Sequence, residues 1–332
     1  MKNENCGAQI SKFLRVKSPM MVPMIKELAE TTFVQELRLV PDIKIRIDEP
    51  LGRYTTMKIG GPADYFLEIG QRAALVQTLR LLKRHRIPFY LLGKGSNTLV
   101  SDLGVRGAVI RLSGDFLQLE WEEDHERIFA TVGAAYPVTR LVRESARRGY
   151  SGLEFAEGIP GSVGGALVMN AGAYGTEMEK LVDRVEGVSP AGELVSFERK
   201  ELAFSYRDSH LPVGTVVTSV RMHLAKGDAM DVTSRVRQLV VKRKKSQPSG
   251  YPNSGSMFRN PVGDYAGRLI EAAGLKGKRI GKAEISKQHA NFIVNLGGAK
   301  AGDVKSLMEN ARNEVQKQFG IELIPEVRWL GE

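Results

Sequence analysis

At 332 residues, 42% hydrophobic and 26% charged, the chain is long enough for roughly one to three domains with real cores, and its composition is that of a globular protein. No apolar run approaches the roughly 18 residues of a membrane helix. Residues 1–24 lack the compact apolar stretch of a signal peptide, and the single cysteine, Cys6, excludes an internal disulfide or a Cys-based metal site. The five histidines fall in no metal-ligand spacing, so no metal and no membrane are expected and the expected compartment is the cytoplasm. The net charge of +10 calls for anionic partners, but apart from Lys242–Lys245 the basic residues are spread along the chain. A nucleic-acid binder would concentrate them on a module. Phosphorylated small molecules fit better, and neither nucleic acid nor an obligate protein partner is expected.

In chain order, residues 1–24 read as irregular, and Ile25, Leu28, Ala29, Phe33 and Leu37 space a helix over 25–39. Ile43–Ile47 alternates as a short strand. Gly60, Gly61 and Pro62 predict a turn before a strand at Tyr65–Ile69; a helix over 71–86 and a buried strand over 88–92 complete a βαβ unit. The loop GKGSNTLVSD (93–102) follows that strand's carboxyl end, where α/β units bind ligands. Strands are predicted at 107–112, 116–122 and 127–133, a helix at 137–149, and strands at 181–189, 193–197 and 215–224. A helix over 228–245 ends in the basic run VVKRKKSQP, a helix spans 264–273, a strand 291–296 and a helix 302–319. The chain closes with IELIPEVRWL, read as a strand, and a domain boundary is expected near residue 225.

Between these elements lies SGLEFAEGIPGSVGGALVMNAGAYG (151–175), with Gly158, Gly161, Gly164, Gly165, Gly172 and Gly175 but few charges. Glycine lets a ligand approach the main chain, and successive bare N–H groups form an anion site. The run is either a phosphate or diphosphate cradle or a tightly packed turn between core elements. The spacing is not that of a dinucleotide GxGxxG, and no Walker A sequence is present. In SYRDSHLP (205–212), Arg207 is either an anion clamp or a surface partner of Asp208. In PNSGSMFRNP (252–261), Ser256 follows a glycine, without the GxSxG elbow or nearby His of a hydrolytic triad, so it is a positioned proton donor or a turn residue. PEVRW (325–329) puts Glu326 and Arg328 on one side of a strand, suited to polarising a carboxylate or to a cross-strand ion pair. HANF (289–292) offers His289 as a polar contact or a structural histidine.

Taken together and in this order, TTMKIGGPAD, GKGSNTLVSD, GLEFAEGIPGSVGGALVMNAGAYG, YRDS, GSMFRNP and PEVRW resemble the UDP-N-acetylenolpyruvoylglucosamine reductase (MurB) family, in its shorter type II branch, from about residue 50 onward. The resemblance implies an α+β protein: an FAD-binding fold of the PCMH or vanillyl-alcohol-oxidase type, with two α/β subdomains (36–112 and 113–225), a C-terminal α+β substrate-binding domain (226–320) and a returning strand (321–332), preceded by an extension (1–35). It implies non-covalent FAD, since neither cradle loop carries His or Cys, with NADPH as co-substrate and a UDP-sugar enolpyruvyl ether as substrate. The residues it implies for FAD are Gly93, Gly95, Ser96, Asn97, Thr98, Ile159, Pro160, Gly161, Ser162, Gly164, Gly165, Asn170, Ala171, Gly172, Arg243 and Arg328. Arg207, Ser256 and Glu326 carry over as catalytic, Ser256 as proton donor. Tyr206, Lys245, Arg259, Asn260 and His289 carry over to the substrate.

Overall fold

A computed structural model describes residues 32–125 and 127–332. The irregular reading of 1–24 and the start of the first predicted helix lie outside these residues. Residues 32–38 are helical, and Phe33 and Leu37 are fully buried.

The first sheet runs in the order Ile43–Pro50, Pro62–Ile69, Val105–Leu112, Phe89–Leu91. The outer pair is antiparallel, and both other strands run parallel to Val105–Leu112. The βαβ unit therefore forms with a later strand inserted between its two strands, and the strand expected to be buried over 88–92 is instead the sheet's edge, with Tyr90 and Leu91 exposed. Its helix, α1 (Arg72–His85), buries Ala74, Leu75, Leu79 and Leu82 against the sheet. The helix ends at Arg86, whose left-handed backbone (φ 56°) returns its N–H to the Leu82 carbonyl. The predicted Gly60–Pro62 turn is instead extended chain leading straight into the strand; a side chain on Gly61 would stand 2.3 Å from the Asp102 carbonyl oxygen. Close backbone approach, not turning, is what this glycine serves.

The second sheet runs Leu194–Glu198, Val182–Val188, Val216–Lys226, Arg127–Gly133, Leu119–Glu123, antiparallel throughout. The strand predicted at 116–122 starts late because Gly114–Leu117 forms a 3-10 turn that buries Phe116. Helices α2 (Val138–Arg147), α3 (Val163–Val168) and α4 (Ala229–Ser246) contribute Leu141, Val142, Val163, Leu167, Val232 and Val236 to its core.

A third, antiparallel sheet runs Asn253–Ser256, Phe292–Asn295, Ala283–Ile285, Arg279–Ile280. It packs with α5 (Ala266–Ala272) and α6 (Ala301–Phe319) around Phe258, Leu269, Ile293, Val304 and Leu307. Met57, Ile59 and Leu99 from the first third of the chain enter the same core. Asp102 reinforces the junction: its carboxylate accepts from the Ala301 and Gly302 N–H groups at 2.8 and 3.0 Å, capping α6 where a negative charge suits the helix dipole.

The closing segment corrects one expectation. Only Arg328–Leu330 is strand, paired in parallel with Thr98–Val100. Upstream of it, Pro325 forms an isolated antiparallel bridge with Phe258, closed by the Glu326 N–H to the Met257 carbonyl (2.8 Å), and with no N–H of its own Pro325 does not extend it into a strand. The one-face pairing of Glu326 with Arg328 along a strand therefore does not occur.

Candidate active site

The two glycine loops meet. Ser96 Oγ donates to the Pro160 carbonyl at 2.5 Å, and a side chain on Gly93 would stand 2.7 Å from Ser162 Oγ. Ser162 caps α3, its hydroxyl accepting from the Gly165 N–H at 3.4 Å. Gly95, with φ 60°, turns the first loop so tightly that an added Cβ would sit 2.5 Å from the Tyr54 carbonyl oxygen. The 151–175 run holds glycines in two kinds of surroundings. Gly164 is a packing glycine, with its missing Cβ 2.8 Å from that of Ala134. Gly161 is open: at φ 156° its absent Cβ would meet only Ser96 Oγ, at 3.4 Å. Among the described residues none accepts from the N–H groups of residues 93–96 or of Gly161. These bare donors, gathered where Ser96 touches Pro160, are what a diphosphate needs.

Arg243 adds charge beside them. Its side chain packs on Gly158, with Nε donating to Gln247 Oε1 (2.9 Å) and a terminal nitrogen to the Glu157 carbonyl (3.4 Å). Among the described residues no carboxylate pairs with it, and burial pushes the guanidinium below its ordinary pKa. A half-buried cation held only by neutral acceptors favours an incoming anion.

Glu326 is the meeting point of the remaining motifs. Its carboxylate accepts from Arg207 Nε at 2.9 Å, its N–H donates to the Met257 carbonyl, and its own carbonyl accepts from Asn97 Nδ2 at 3.1 Å. One residue thus ties together YRDS, the segment following Ser256 and the first glycine loop. Arg207 turns to Glu326 rather than to Asp208, whose carboxylate accepts from the His210 N–H instead. Burial raises the Glu326 carboxyl pKa, while Arg207 and Arg259 pull it down. Among the described residues nothing accepts from the buried Arg259 Nε. Ser256 is half-buried after the left-handed Gly255 (φ 76°), and its Oγ makes no hydrogen bond to the described residues.

Because the folded Glu326 pKa lies above 4.5, its proton-linked stability is present below pH 4.5 and lost as pH rises through the raised value. The melting temperature of the wild type, measured relative to Glu326→Gln, is therefore expected to fall across that window. A difference that is flat with pH would contradict the raised pKa.

Of the other expected site residues, Arg328 and Tyr206 contact these centres, whereas Lys245 and His289 make their contacts elsewhere. Arg328 lies opposite Thr98 in the parallel pair, and its N–H donates to the Asn97 carbonyl at 3.0 Å. Tyr206 OH lies 3.5 Å from the Asn260 N–H, and the Arg207 guanidinium stands 4.8 Å over the Tyr206 ring. Asn260 Oδ1 is already engaged, accepting from the Ala266 N–H at the start of α5 (3.1 Å). Lys245 is exposed at the end of α4, where the Lys244 and Lys245 carbonyls accept from Gln288. His289 next to it packs on Phe292 and against Gly267, and its Nδ1 accepts from the Asn291 N–H; burial and nearby Lys276 lower its pKa. Ile159 and Ala171 lie partly buried against the second core. Asn170 is fully buried, with its amide committed to Glu177 and the Ser205 carbonyl.

Glu177 and Asn291 escaped the motif reading. Asn291, inside HANF, brackets Phe258 with both ends of its amide, at 2.9 Å to the N–H and 2.8 Å to the carbonyl. Asn291→Ala is expected to cost about 2–4 kcal/mol by orphaning both groups and to slow turnover by loosening the strand that ends at Ser256. Denaturant melts check this, and a change below about 1 kcal/mol would contradict it.

Comparison with known proteins agrees with this geometry. Residues 63–198 match an FAD binding domain, and residues 247–330 match the UDP-N-acetylenolpyruvoylglucosamine reductase C-terminal domain. UDP-N-acetylenolpyruvoylglucosamine reductase 2 of Symbiobacterium thermophilum is 45% identical over 87% of this chain and 92% of its own length. The reductase of Rubrobacter xylanophilus is 45% identical over 89% of this chain and 97% of its own. The crystal structure of the Thermus caldophilus reductase superposes with a TM-score of 0.75 at 39% identity, covering 87% of this chain and 98% of that one. With bare-amide loops in a domain that matches an FAD binding domain, Glu326 of the matched C-terminal domain paired with Arg207, and relatives at 45% identity over most of both chains, this chain belongs to the UDP-N-acetylenolpyruvoylglucosamine reductase family.

Proposed function

We propose that this protein reduces UDP-N-acetylenolpyruvoylglucosamine to UDP-N-acetylmuramate in peptidoglycan precursor synthesis, with NADPH as reductant and non-covalently held FAD, in the cytoplasm. The observation that carries the reading is the convergence on Glu326 of Arg207, the segment following Ser256 and the Asn97 loop. In this reading residues 36–112 and 113–225 hold FAD and residues 226–320 receive the substrate, with 321–332 returning Glu326 and Arg328 to the site.

The bare amides of 93–96 and Gly161 would hold the FAD diphosphate, with Arg243 neutralising its charge; Ser162, Gly165 and Arg328 frame the same loops. Bound FAD supplies hydride transfer from NADPH to the terminal carbon of the enolpyruvyl group. The electron pair of the carbon–carbon double bond then develops on the carbon bearing the carboxylate. Arg207, fixed by Glu326, binds that carboxylate and stabilises the developing charge. Ser256 Oγ gives its proton to this carbon and recovers one from solvent. A serine hydroxyl is a weak acid, so the step depends on a strongly basic carbanion and on nearby cations, Arg207 and Arg259, to stabilise the alkoxide. Tyr206, Asn260, Lys245 and His289 line the approach of the sugar nucleotide, with Lys245 facing its diphosphate.

Steady-state assays test the reading. NADPH oxidation is expected to require the enolpyruvyl sugar nucleotide and to yield the lactyl ether in equal amount. NADPH oxidation that runs at the same rate without that substrate, driven by oxygen alone, would overturn it.

A further inference from the structure

We propose that Glu177 is a positioning residue for the same reaction, holding Arg207 and the Asn170 turn in the geometry the Glu326 site requires; the inference rests on the reductase reading. Its carboxylate faces both groups. Oε2 accepts from Asn170 Nδ2 at 2.8 Å, and Oε1 lies 3.9 Å from an Arg207 terminal nitrogen. Asn170 also donates to the Ser205 carbonyl at 3.0 Å, and its Oδ1 accepts from the Glu179 N–H at 3.0 Å. Ser205 stands two residues before Arg207, so Glu177, Asn170, the 205–207 turn and Arg207 close a ring of contacts.

The ring holds backbone that would otherwise relax. Asn170 (φ 38°) and Arg207 (φ 63°) are both non-glycine residues in the left-handed region. Such conformations persist only where surrounding contacts over-determine them. Among the described residues Glu177 is the side chain that touches both. It is itself fixed in the hairpin that pairs Glu177 with Gly172. A Cβ on Gly172 would stand 2.5 Å from Glu177 Cγ, so this glycine is what admits the glutamate. Gly172 also accepts through its carbonyl from Arg207, at 3.4 Å.

The arrangement sets charge as well as shape. The Arg207 guanidinium lies between Glu177 and Glu326, and the charged groups acting on Glu326 are Arg207 and Arg259. While Glu177 is ionised, it shares the cation. Neutralising Glu177 leaves Arg207 to Glu326 alone and favours the ionised form of Glu326.

The test compares holoenzyme Glu177→Gln and Gly172→Ala with wild type in two anaerobic half-reactions, flavin bleaching by NADPH and flavin reoxidation by the enolpyruvyl sugar nucleotide. In Glu177→Gln, reoxidation is expected to slow by about tenfold to a hundredfold more than bleaching does, the scale of a misplaced catalytic group. The pH inflection of reoxidation is expected to move to lower pH. Gly172→Ala, which displaces Glu177 with its charge intact, should slow reoxidation similarly. Reoxidation of Glu177→Gln within twofold of wild type, with an unmoved inflection, would overturn the role of Glu177 while leaving the reductase reading standing. Wild-type enzyme that the substrate fails to reoxidise would remove that reading and this proposal together.

Discussion

Ser256→Ala is expected to remain yellow and to be bleached by NADPH, while its reoxidation by the enolpyruvyl sugar nucleotide slows about a thousandfold, within the range contributed by a positioned general acid. The expectation follows from where the hydroxyl sits. Its Oγ makes no hydrogen bond to the described residues, so removing it leaves no buried partner unsatisfied and little stability should be lost. The strand it ends stays pinned by Asn291 on Phe258 and by Glu326 on Met257. Arg207 stays paired with Glu326. The variant should therefore bind substrate nearly normally and fail at proton delivery, so kcat falls much more than KM rises. Near wild-type turnover would remove Ser256 from the role. A parallel loss of FAD would mean that the substitution had disturbed the fold.

Gly161→Val is expected to purify colourless, with its affinity for added FAD weakened at least about a hundredfold, roughly 2.7 kcal/mol. Space inside the protein does not forbid the side chain, since Ser96 Oγ is its first neighbour at 3.4 Å. The loss comes instead from a branched side chain covering the bare amides and from backbone at φ 156°, which β-branched residues adopt poorly. Gly164→Val is the contrasting control. Its Cβ would stand 2.8 Å from the Ala134 Cβ inside the second core, so its damage should appear as a lowered melting temperature of the apoprotein. If Gly161→Val binds FAD as wild type does, the diphosphate does not lie on this loop.

Much of the site was legible in short stretches because the chemistry imposes local demands. Ligand-facing backbone needs glycine, so GKGSN reads as a ligand-site loop and GIPGSVGG as either a cradle or a packed turn. The open Gly161 and the packed Gly164 sit three residues apart, and only the surroundings tell their purposes apart. Partners far apart in sequence were not legible. Arg207 reads as a clamp or a partner of Asp208, yet its hydrogen-bonded carboxylate is Glu326, 119 residues away, with Glu177 on its other side. PEVRW reads as one strand by alternation, but it pairs as a single antiparallel bridge at Pro325 with Phe258 and then as a separate parallel strand from Arg328. Glu177 and Asn291 were missed for a related reason. Each holds another residue in place, and a supporting side chain has no signature until the residue it supports has a position. Secondary structure followed periodicity closely where one face is buried, as in α1 and α6, and drifted at Gly114–Leu117, where a tight turn overrides strand propensity.

The most direct test is the visible spectrum of the purified protein under anaerobic conditions, with NADPH added first and the enolpyruvyl sugar nucleotide second. The account predicts flavin bands that NADPH bleaches and that return only with the second addition, in proportion to the substrate supplied. A yellow protein that stays bleached after that substrate is added would contradict it.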